Sequence, residues 1–291
     1  MPEQETRSDK QHTYFVDPEN VAEMGRLILQ DRLVTKAMGG VFPDSFDVSP
    51  IKRVLDLACG PGAWARDVVQ AYPSMEVIGV DISELMTGFA TSQAEEQHLQ
   101  NVHFQIMNIL QPLEFPDGSF DYVNARFLST LVGINTWPRL IKEGWRVLRP
   151  GGFMRVTEML QMPVTNSPAL TRLLDLAVYS TQVSPHHLGS ERLRSITPLL
   201  AGFFRQAGFD ALKRRAYVID YSAGSAAHAD FYHNLMTVAK LTQPLMVSLG
   251  VATQEELETL RMRAMAEMQQ EDFCALAFYF SIWGEKVASA S

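Results

Sequence analysis

A short apolar run that ends in a glycine-rich turn constrains this chain more than any other stretch. Residues 54–57 have the composition of a buried strand, residues 58–62 are small residues around two glycines, and a helical pattern begins near residue 63. Gly60 and Gly62 can adopt turn dihedrals that other residues resist, and they let a ligand approach the backbone. The helix that follows presents free backbone N–H groups at its start. The pattern therefore predicts either a ligand site or an ordinary tight strand-to-helix connection.

Polar residues follow several predicted strands, and the most informative of them is Asp81, at the end of residues 76–80. An acidic side chain there can accept hydrogen bonds from two ribose hydroxyls, or it can cap the helix that begins near Ser83. The carboxyl ends of parallel strands meet at one edge of a sheet, where ligands bind. The polar strand ends predicted to form one site are Asp56, Asp81, Asn108, Asn124, Arg126 and Glu158.

Four sequence blocks together resemble the class I S-adenosylmethionine-dependent methyltransferases. The blocks are VLDLACGPG at residues 54–62, GVDIS at 79–83, FPDGSFD at 115–121 and VLRPGG at 147–152, in the order and approximate spacing of that family. The resemblance covers residues 53–158 well, whereas the flanks are only loosely similar to the small-molecule branch of the family, which includes the ubiquinone and menaquinone type. It implies S-adenosyl-L-methionine as the cofactor and S-adenosyl-L-homocysteine as the product.

The resemblance also implies which residues bind the cofactor. Ala58 departs from the family pattern because it stands where the first glycine of the loop is common, and Asn108 stands where an aspartate usually contacts the adenine amino group. The carbonyl oxygen of an asparagine can still accept that hydrogen bond. The implied cofactor-binding residues are Asp56, Ala58, Gly60, Gly62, Asp81, Ile82, Asn108, Ile109, Asn124 and Arg126.

An enzyme that binds a nicotinamide dinucleotide is the alternative, because residues 60–65 also fit the pattern G-x-G-x-x-A. Pro61 removes an N–H donor that a phosphate would use. Asp56, at the end of the first strand, would face the amino group of a methionine moiety rather than a pyrophosphate. The block at residues 115–121 has no place in a dinucleotide fingerprint. These three features favour the methyltransferase interpretation.

Apolar strands that alternate with helices predict an α/β fold whose parallel sheet has helices on both faces. The resemblance implies a Rossmann-like, mostly parallel seven-stranded sheet, to which the inserted helical segments add a helical cap. The first helix is predicted to have Asp17 as its N-cap and to end at Gly39-Gly40. The predicted units are residues 1–50 as an N-terminal helical lid segment, 51–160 as the cofactor-binding core, 161–195 as a cap insertion, 196–222 with 272–291 as the C-terminal part of the core sheet, and 223–271 as a helical cap insertion.

The residues that would act on a substrate are less clearly marked. Methyl transfer to an oxygen atom benefits from a base, which is usually His, Asp or Glu. The candidate catalytic residues are His186 and His187 in a predicted loop and Glu158 at the tip of the fifth strand. The candidate substrate or lid residues are Tyr14, Tyr221 and Tyr232. Each of these also has a structural interpretation, since paired loop histidines are common on surfaces and tyrosines often pack beside helices.

Composition limits the partners that we expect. The formal net charge of −8 argues against binding to a nucleic acid backbone, and no apolar stretch is long enough to span a membrane. Two cysteines and a polar N-terminus predict a reducing compartment, the cytoplasm, without a signal peptide. Neither an H-x-x-x-H nor a C-x-x-C pattern occurs, so we expect no metal. The sequence also allows a homo-oligomer, since the first helix could exchange between subunits.

The sequence thus predicts an S-adenosylmethionine-dependent methyltransferase that acts on an O, N or C atom of a small, largely apolar molecule such as a secondary metabolite. In-line displacement in a capped site is the expected mechanism. The alternative is a protein with the methyltransferase fold that binds the cofactor but catalyses a different reaction or serves as a binding module, because a fold does not fix a function.

Overall fold

The computed structural model describes residues 19–43, 46–183 and 195–287. The strands are β1 Arg53–Leu57, β2 Glu76–Asp81, β3 Val102–Ile106, β4 Phe120–Arg126, β5 Leu148–Thr165, β6 Phe209–Asp220 and β7 Ala275–Lys286. The helices are α1 Val21–Ala37, α2 Ala63–Ala71, α3 Glu84–Glu96, α4 Trp137–Val147, α5 Pro168–Val183, α6 Thr197–Ala207, α7 His228–Ser248 and α8 Gln254–Met268, with a short 3-10 helix at Leu128–Thr130.

The strands form one seven-stranded sheet in the order β3-β2-β1-β4-β5-β7-β6. Strands β1 to β5 run parallel, and β7 runs antiparallel between β5 and β6. The predicted α/β class with a mostly parallel sheet is therefore confirmed. Because β1 lies between β2 and β4, its carboxyl end lies inside the sheet edge and not at a corner, with strands on both sides.

Helices cover both faces of the sheet, as the near-continuous apolar character of β1 predicts. Val54 packs on one face in a buried cluster with Trp64 and Val68 of α2. Leu55, the next residue, packs on the opposite face in the cluster that contains Ile141 of α4. Side chains of β1 thus pack into the apolar layers on both faces of the sheet, and this packing fixes the position of the turn that follows β1.

A third apolar cluster lies beyond the carboxyl edge of the sheet and joins α1, α5, α7 and α8 to the ends of β6 and β7. Helix α1 contributes Leu33 and Val34 to this cluster, where they join Leu170 of α5 and Phe231 of α7. The segment between β6 and β7 supplies both α7 and α8. These helices stand over the edge at which the polar strand ends meet.

Three element boundaries differ from the sequence-based prediction. Asn20, not Asp17, is the N-cap of α1, because its side chain accepts hydrogen bonds from the N–H groups of Ala22 and Glu23. The sequence pattern predicts that the fifth strand ends at residue 158, but β5 continues to Thr165 because it pairs with β7 as far as Ala275, so Glu158 lies within the strand and not at its tip. For the same reason β6, predicted from the sequence to begin at Leu212, begins at Phe209 opposite Lys286.

Candidate cofactor and acceptor site

The turn after β1 is held in a left-handed backbone conformation at three positions, Ala58 (φ +50°), Gly60 (φ +52°) and Gly62 (φ +69°). A Cβ atom on Gly62 would lie 2.5 Å from the ring of Phe104, so packing requires glycine there. A Cβ atom on Gly60 would meet only Leu27, at 3.7 Å. Gly60 also lines the large cavity above the sheet edge, whereas Gly62 does not. Of the two glycines, Gly60 is therefore the one that can face a ligand.

Asp81 joins the glycine turn to the start of α3. Its Oδ2 atom accepts a hydrogen bond from the Gly60 N–H at 2.8 Å, and its Oδ1 atom accepts one from the Ser83 N–H at 3.0 Å. The N-cap of α3 is Ser83, which accepts the N–H of Met86. Ser83, and not Asp81, is therefore the N-cap residue of α3. The carboxylate lines the cavity, and burial raises its pKa.

Asp56 is a buried carboxylate in the same cavity. It lies at the carboxyl end of β1 and is 4% exposed. Asn124 on neighbouring β4 donates a hydrogen bond from Nδ2 to Asp56 Oδ1 at 2.8 Å. Burial raises the pKa of Asp56 to about 7, and the Asn124 hydrogen bond opposes that rise. Asn124 itself does not line the cavity, so it positions Asp56 from behind.

Helix α1 covers the cavity and is tied to the sheet by Arg126. The Arg126 guanidinium forms an ion pair with Asp31 and donates a hydrogen bond to Thr35 Oγ1 at 2.9 Å. Glu19, just before α1, accepts the N–H groups of Glu84 and Leu85 at the start of α3, at 3.2 and 3.0 Å. These contacts fasten α1 across the cavity edge that holds Asp81.

Glu158 on β5 is another buried carboxylate of the cavity and is 0% exposed. It accepts hydrogen bonds from the Leu128 N–H and the Ser129 hydroxyl, both at 2.7 Å. Phe127, with φ +60°, turns the chain after β4 so that these two donors face the carboxylate. Burial raises the pKa of Glu158 to about 7, although both hydrogen bonds favour the charged form.

The cavity has a volume of about 370 Å³ and two chemically different ends. One end, here called the cofactor end, is lined by the loops after β1, β2 and β3 and includes Asp56, Gly60 and Asp81. The other, here called the acceptor end, is lined mainly by apolar side chains of α5 and α7. Those side chains are Leu170, Leu173, Leu174, Phe231, Leu235 and Val238.

Comparison with known proteins identifies the part of the chain that forms the cofactor end. Residues 54–152 match the family model of a methyltransferase domain. This segment is a class I S-adenosylmethionine-dependent methyltransferase domain. The YcgJ protein of Bacillus subtilis has the same fold, with a TM-score of 0.51 and 21% sequence identity over 82% of this chain and 93% of that one.

Two curated methyltransferases illustrate the range of relatives. Phosphoethanolamine N-methyltransferase 3 of Arabidopsis thaliana is 30% identical over 138 residues, which are 47% of this chain and 26% of that protein. Demethylmenaquinone methyltransferase of Geobacillus sp. (strain WCH70) is 29% identical over 196 residues, which are 61% of this chain and 79% of that protein. The chain thus spans only about a quarter of the first relative.

Most residues that the sequence nominated for the methyltransferase site line this cavity. They are Asp56, Ala58, Gly60, Asp81, Ile82, Asn108, Ile109, Arg126, Glu158 and Tyr221. The structure does not bring Gly62, Asn124 or Tyr232 to the cavity surface. Tyr14, His186 and His187 lie outside the described residues. The roles of all these residues stay predictions.

Sequence reasoning missed several cavity residues that come from distant segments. Arg26 and Asp31 project from α1, and Tyr279 from β7. The sequence marks Tyr279 only as one aromatic residue in an aromatic strand, so no local signal could have separated it from its neighbours. In the ranges that the structure describes, no three His, Cys, Asp or Glu side chains are grouped to hold a metal ion. The described helices also fall short of the length and apolar character that a membrane span needs.

Proposed function

We propose that this protein transfers a methyl group from S-adenosylmethionine to an oxygen, nitrogen or carbon atom of a small, largely apolar molecule, such as a secondary metabolite. The observation that carries the proposal is one continuous cavity. Its cofactor end presents Asp56, Gly60 and Asp81, and its acceptor end is apolar. Two ligands held in one cavity are positioned for direct transfer, and positioning alone is worth roughly 7–11 kcal/mol of the barrier.

The buried charges of the cofactor end fit a cationic ligand. Asp56 and Asp81 both lie in the cavity wall, and the negative charge of Asp81 adds to the rise in the pKa of Asp56. A ligand with a positive charge would offset this repulsion, whereas a pyrophosphate would add to it. Pro61 has no N–H to offer to a phosphate. S-adenosylmethionine, which carries an ammonium group, a sulfonium group and ribose hydroxyls, fits these residues, and when bound it supplies the methyl group.

Each element of the cofactor end has a proposed role. Asp56 accepts hydrogen bonds from the ammonium group, and Asp81 accepts them from the ribose hydroxyls. Asn108 and Ile109, which line the same end of the cavity, are proposed to pack against the adenine ring. Asn108 Oδ1 already accepts the N–H of Leu110 at 2.9 Å, so its second lone pair is the one available to adenine. Helix α1 excludes water from the reacting atoms.

Glu158 is the proposed proton acceptor for an oxygen or nitrogen acceptor atom. A pKa of about 7 keeps a fraction of this carboxylate ionised at neutral pH while leaving it basic enough to take a proton. The Ser129 hydroxyl and Leu128 N–H hold it in place. It would take the proton that the acceptor atom loses as the bond from that atom to the methyl carbon replaces the methyl–sulfur bond, whose electron pair stays on the sulfur. His186 and His187 stay alternative candidates for this role.

The apolar acceptor end supports the substrate class. The two relatives named above act, by their names, on phosphoethanolamine and on demethylmenaquinone, one highly polar and the other a quinone. Leucine, valine and phenylalanine side chains at the acceptor end favour a molecule of the second kind, since burial of apolar surface contributes roughly 25 cal/mol per Å². A free phosphate group would find few partners among these side chains.

Calorimetric titration with S-adenosylmethionine and S-adenosylhomocysteine tests the cofactor, with NADH as the control. We expect micromolar binding of both sulfur compounds and none of NADH. A mass screen of small apolar acceptors for the gain of one methyl group then tests the transfer. Absence of binding of both sulfur compounds would refute the proposal, and binding without methylation of any acceptor would favour the non-methylating alternative.

The variant Glu158→Gln separates the catalytic role from a structural one. Glutamine keeps an oxygen that can accept the Leu128 N–H, and its amide nitrogen can donate to the Ser129 oxygen, but it cannot take a proton at neutral pH. With an oxygen or nitrogen acceptor we expect kcat to fall by roughly 10²–10⁴-fold while cofactor affinity is retained. An unchanged kcat would remove Glu158 from the mechanism.

A further inference from the structure

Two tyrosine hydroxyls face each other in the wall of the acceptor end. Tyr221 follows β6, Tyr279 lies in β7, and both residues are buried and line the cavity. Their hydroxyl oxygens are 3.5 Å apart. The Tyr221 ring stacks on Phe231 with centroids 4.1 Å apart, and the Tyr279 ring meets the edge of Phe127 at 5.9 Å. Aromatic packing thus holds both hydroxyls in place.

The separation of the two hydroxyls leaves hydrogen-bonding capacity unused. An O–H···O bond is ordinarily about 2.7–2.8 Å long, so a 3.5 Å separation is a poor mutual bond. Within the described part of the chain, the two hydroxyls form no hydrogen bond with any other group. Burial raises the pKa of both phenols, so both keep their protons at neutral pH. The two hydroxyl hydrogens therefore take part in at most one weak hydrogen bond between the tyrosines.

A third oxygen atom can satisfy both hydroxyls together. An oxygen placed about 2.8 Å from each of them would accept two hydrogen bonds, since the two donors are close enough to converge on one atom. The Arg26 side chain adds a positive charge nearby, which partly offsets the rise in the pKa of Tyr279. Arg26 donates hydrogen bonds of 2.6 and 2.7 Å to Glu23, and this carboxylate balances most of that charge. Two converging O–H donors suit an oxygen that carries partial or full negative charge.

We propose that Tyr221 and Tyr279 form an oxygen-binding subsite that holds a carbonyl, enolate or phenolate oxygen of the methyl acceptor. The inference rests on the proposed function, and it narrows the substrate class from a largely apolar molecule to an apolar skeleton that carries such an oxygen. Paired donors of this kind also stabilise charge that develops on the bound oxygen during a reaction. A molecule without the oxygen leaves both hydroxyls unsatisfied and binds less tightly.

Two probes with the same carbon skeleton test the subsite. 1-Tetralone and tetralin share a fused bicyclic skeleton, and only the first has a ketone oxygen. Affinity for each is measured by calorimetry on the whole protein, in the presence of saturating S-adenosylhomocysteine. We expect the protein to bind 1-tetralone about tenfold more tightly than tetralin, which corresponds to about 1.4 kcal/mol.

The double variant Tyr221→Phe with Tyr279→Phe removes both hydroxyls and keeps both rings. We expect it to bind the two probes equally, with tetralin affinity unchanged. Tyr232→Phe is the matched control, because Tyr232 lies on α7 but does not line the cavity, and it should keep the tenfold preference. The inference is overturned if the wild-type protein shows no preference, or if the double variant keeps it.

The cofactor titration distinguishes this inference from the proposed function. Each variant is also titrated with S-adenosylhomocysteine alone, and we expect the same affinity as in the wild-type protein. The supporting result is that the double variant loses the preference for 1-tetralone while the wild-type protein and both variants bind S-adenosylhomocysteine normally. A wild-type protein that binds S-adenosylhomocysteine normally but both probes equally refutes the subsite and leaves the methyltransferase proposal standing. Failure to bind S-adenosylhomocysteine refutes the proposed function itself.

Discussion

The two ends of the cavity are built in different ways. The cofactor end consists of loops that follow successive strands of one sheet, and its carboxylate Asp81 is fixed by the backbone N–H groups of Gly60 and Ser83. The acceptor end consists of side chains from α5, α7 and β7, which are remote from one another in sequence. Backbone geometry thus defines the first end, and side-chain identity defines the second. Substitutions at the acceptor end can change the ligand without changing the fold.

Helix α1 is the element that the two ends share. Leu27 approaches the glycine turn, whereas Arg26 donates a hydrogen bond to Asn234 of α7 at 3.2 Å. The ion pair between Asp31 and Arg126 ties the same helix to β4. Because one helix closes both ends, the contrast between them is best tested with variants that alter one end alone.

The largest expected effect is the loss of cofactor affinity in Asp81→Ala. The substitution removes the proposed ribose acceptor and also frees the Gly60 and Ser83 N–H groups that the carboxylate now binds. Hydrogen bonds to a charged group are worth about 1.5–3 kcal/mol each. We expect affinity for S-adenosylhomocysteine, measured by calorimetry, to fall by about 100-fold or more.

Asp220→Ala is the matched control for this substitution. Asp220 also ends a strand and accepts the N–H of the residue two positions later, Ser222, at 2.9 Å, but it lies outside the cavity lining. Its removal should leave cofactor affinity unchanged. Equal affinity losses in the two variants would mean that both effects come from a loosened strand end and not from a ligand contact.

Alanine substitutions at the two glycines of the turn should separate an effect on folding stability from an effect on cofactor binding. Gly62→Ala places a Cβ atom 2.5 Å from the Phe104 ring at φ +69°, so we expect the free energy of unfolding to fall by about 3 kcal/mol. Gly60→Ala meets no such obstacle and should cost about 1 kcal/mol from its left-handed backbone.

Denaturant unfolding and calorimetry on both variants make the comparison. Gly60→Ala should weaken cofactor binding more than its small stability loss explains, since Gly60 lines the cavity. Gly62→Ala should lose stability without a specific binding defect in the folded protein. The reverse pattern would exchange the roles that we assign to the two glycines.

The pH dependence of cofactor affinity should come from the cofactor end. Burial raises the pKa of Asp56 to about 7, so the carboxylate that would bind the ammonium group is increasingly protonated below that pH. Affinity for S-adenosylhomocysteine, measured by calorimetry, should rise with pH and lose about tenfold per unit below about pH 7. Asp56→Asn should give weaker binding with a flatter profile between about pH 6 and 8, because asparagine does not titrate there. An equally steep profile in this variant would assign the pH dependence to another group.

The stability of the free protein should change in the opposite direction. A buried acid with a raised pKa holds its proton in the folded state over a range in which the unfolded chain has already lost it. The free energy of unfolding therefore falls as pH rises from the ordinary carboxyl pKa of Asp56 and Glu158 toward about 7. Denaturant unfolding across this range measures the slope, and Glu158→Gln should reduce it. A stability that rises with pH in this window would contradict the burial of both acids.

The sequence predicts the cofactor end better than the acceptor end, for a physical reason. A strand, a left-handed turn and a helix are local, so Gly60 and Asp81 are visible as a pattern within a few residues. Tyr279 and Asp31 reach the cavity only because β7 inserts beside β5 and α1 lies across the sheet edge. Those contacts join residues far apart in sequence. Asn124 shows the limit within the cofactor end itself, since its ligand-binding role stays a prediction, and the structure places its side chain against Asp56 and outside the cavity lining.

The smallest expected effect comes from Ala→Gly substitutions at two left-handed positions. They test whether Ala58 contributes to cofactor binding or only carries backbone strain. Ala58 and Ala211 both have left-handed backbones, with φ of +50° and +49°, but Ala58 lines the cavity and Ala211 lies in the irregular start of β6. Glycine relieves the strain at either position, so each Ala→Gly variant should raise the free energy of unfolding by about 0.5–1 kcal/mol in a denaturant titration. Cofactor affinity should change only in Ala58→Gly, because only that substitution alters a residue of the turn. Destabilisation by Ala58→Gly would show that the alanine methyl group contributes more by packing than its backbone costs in strain.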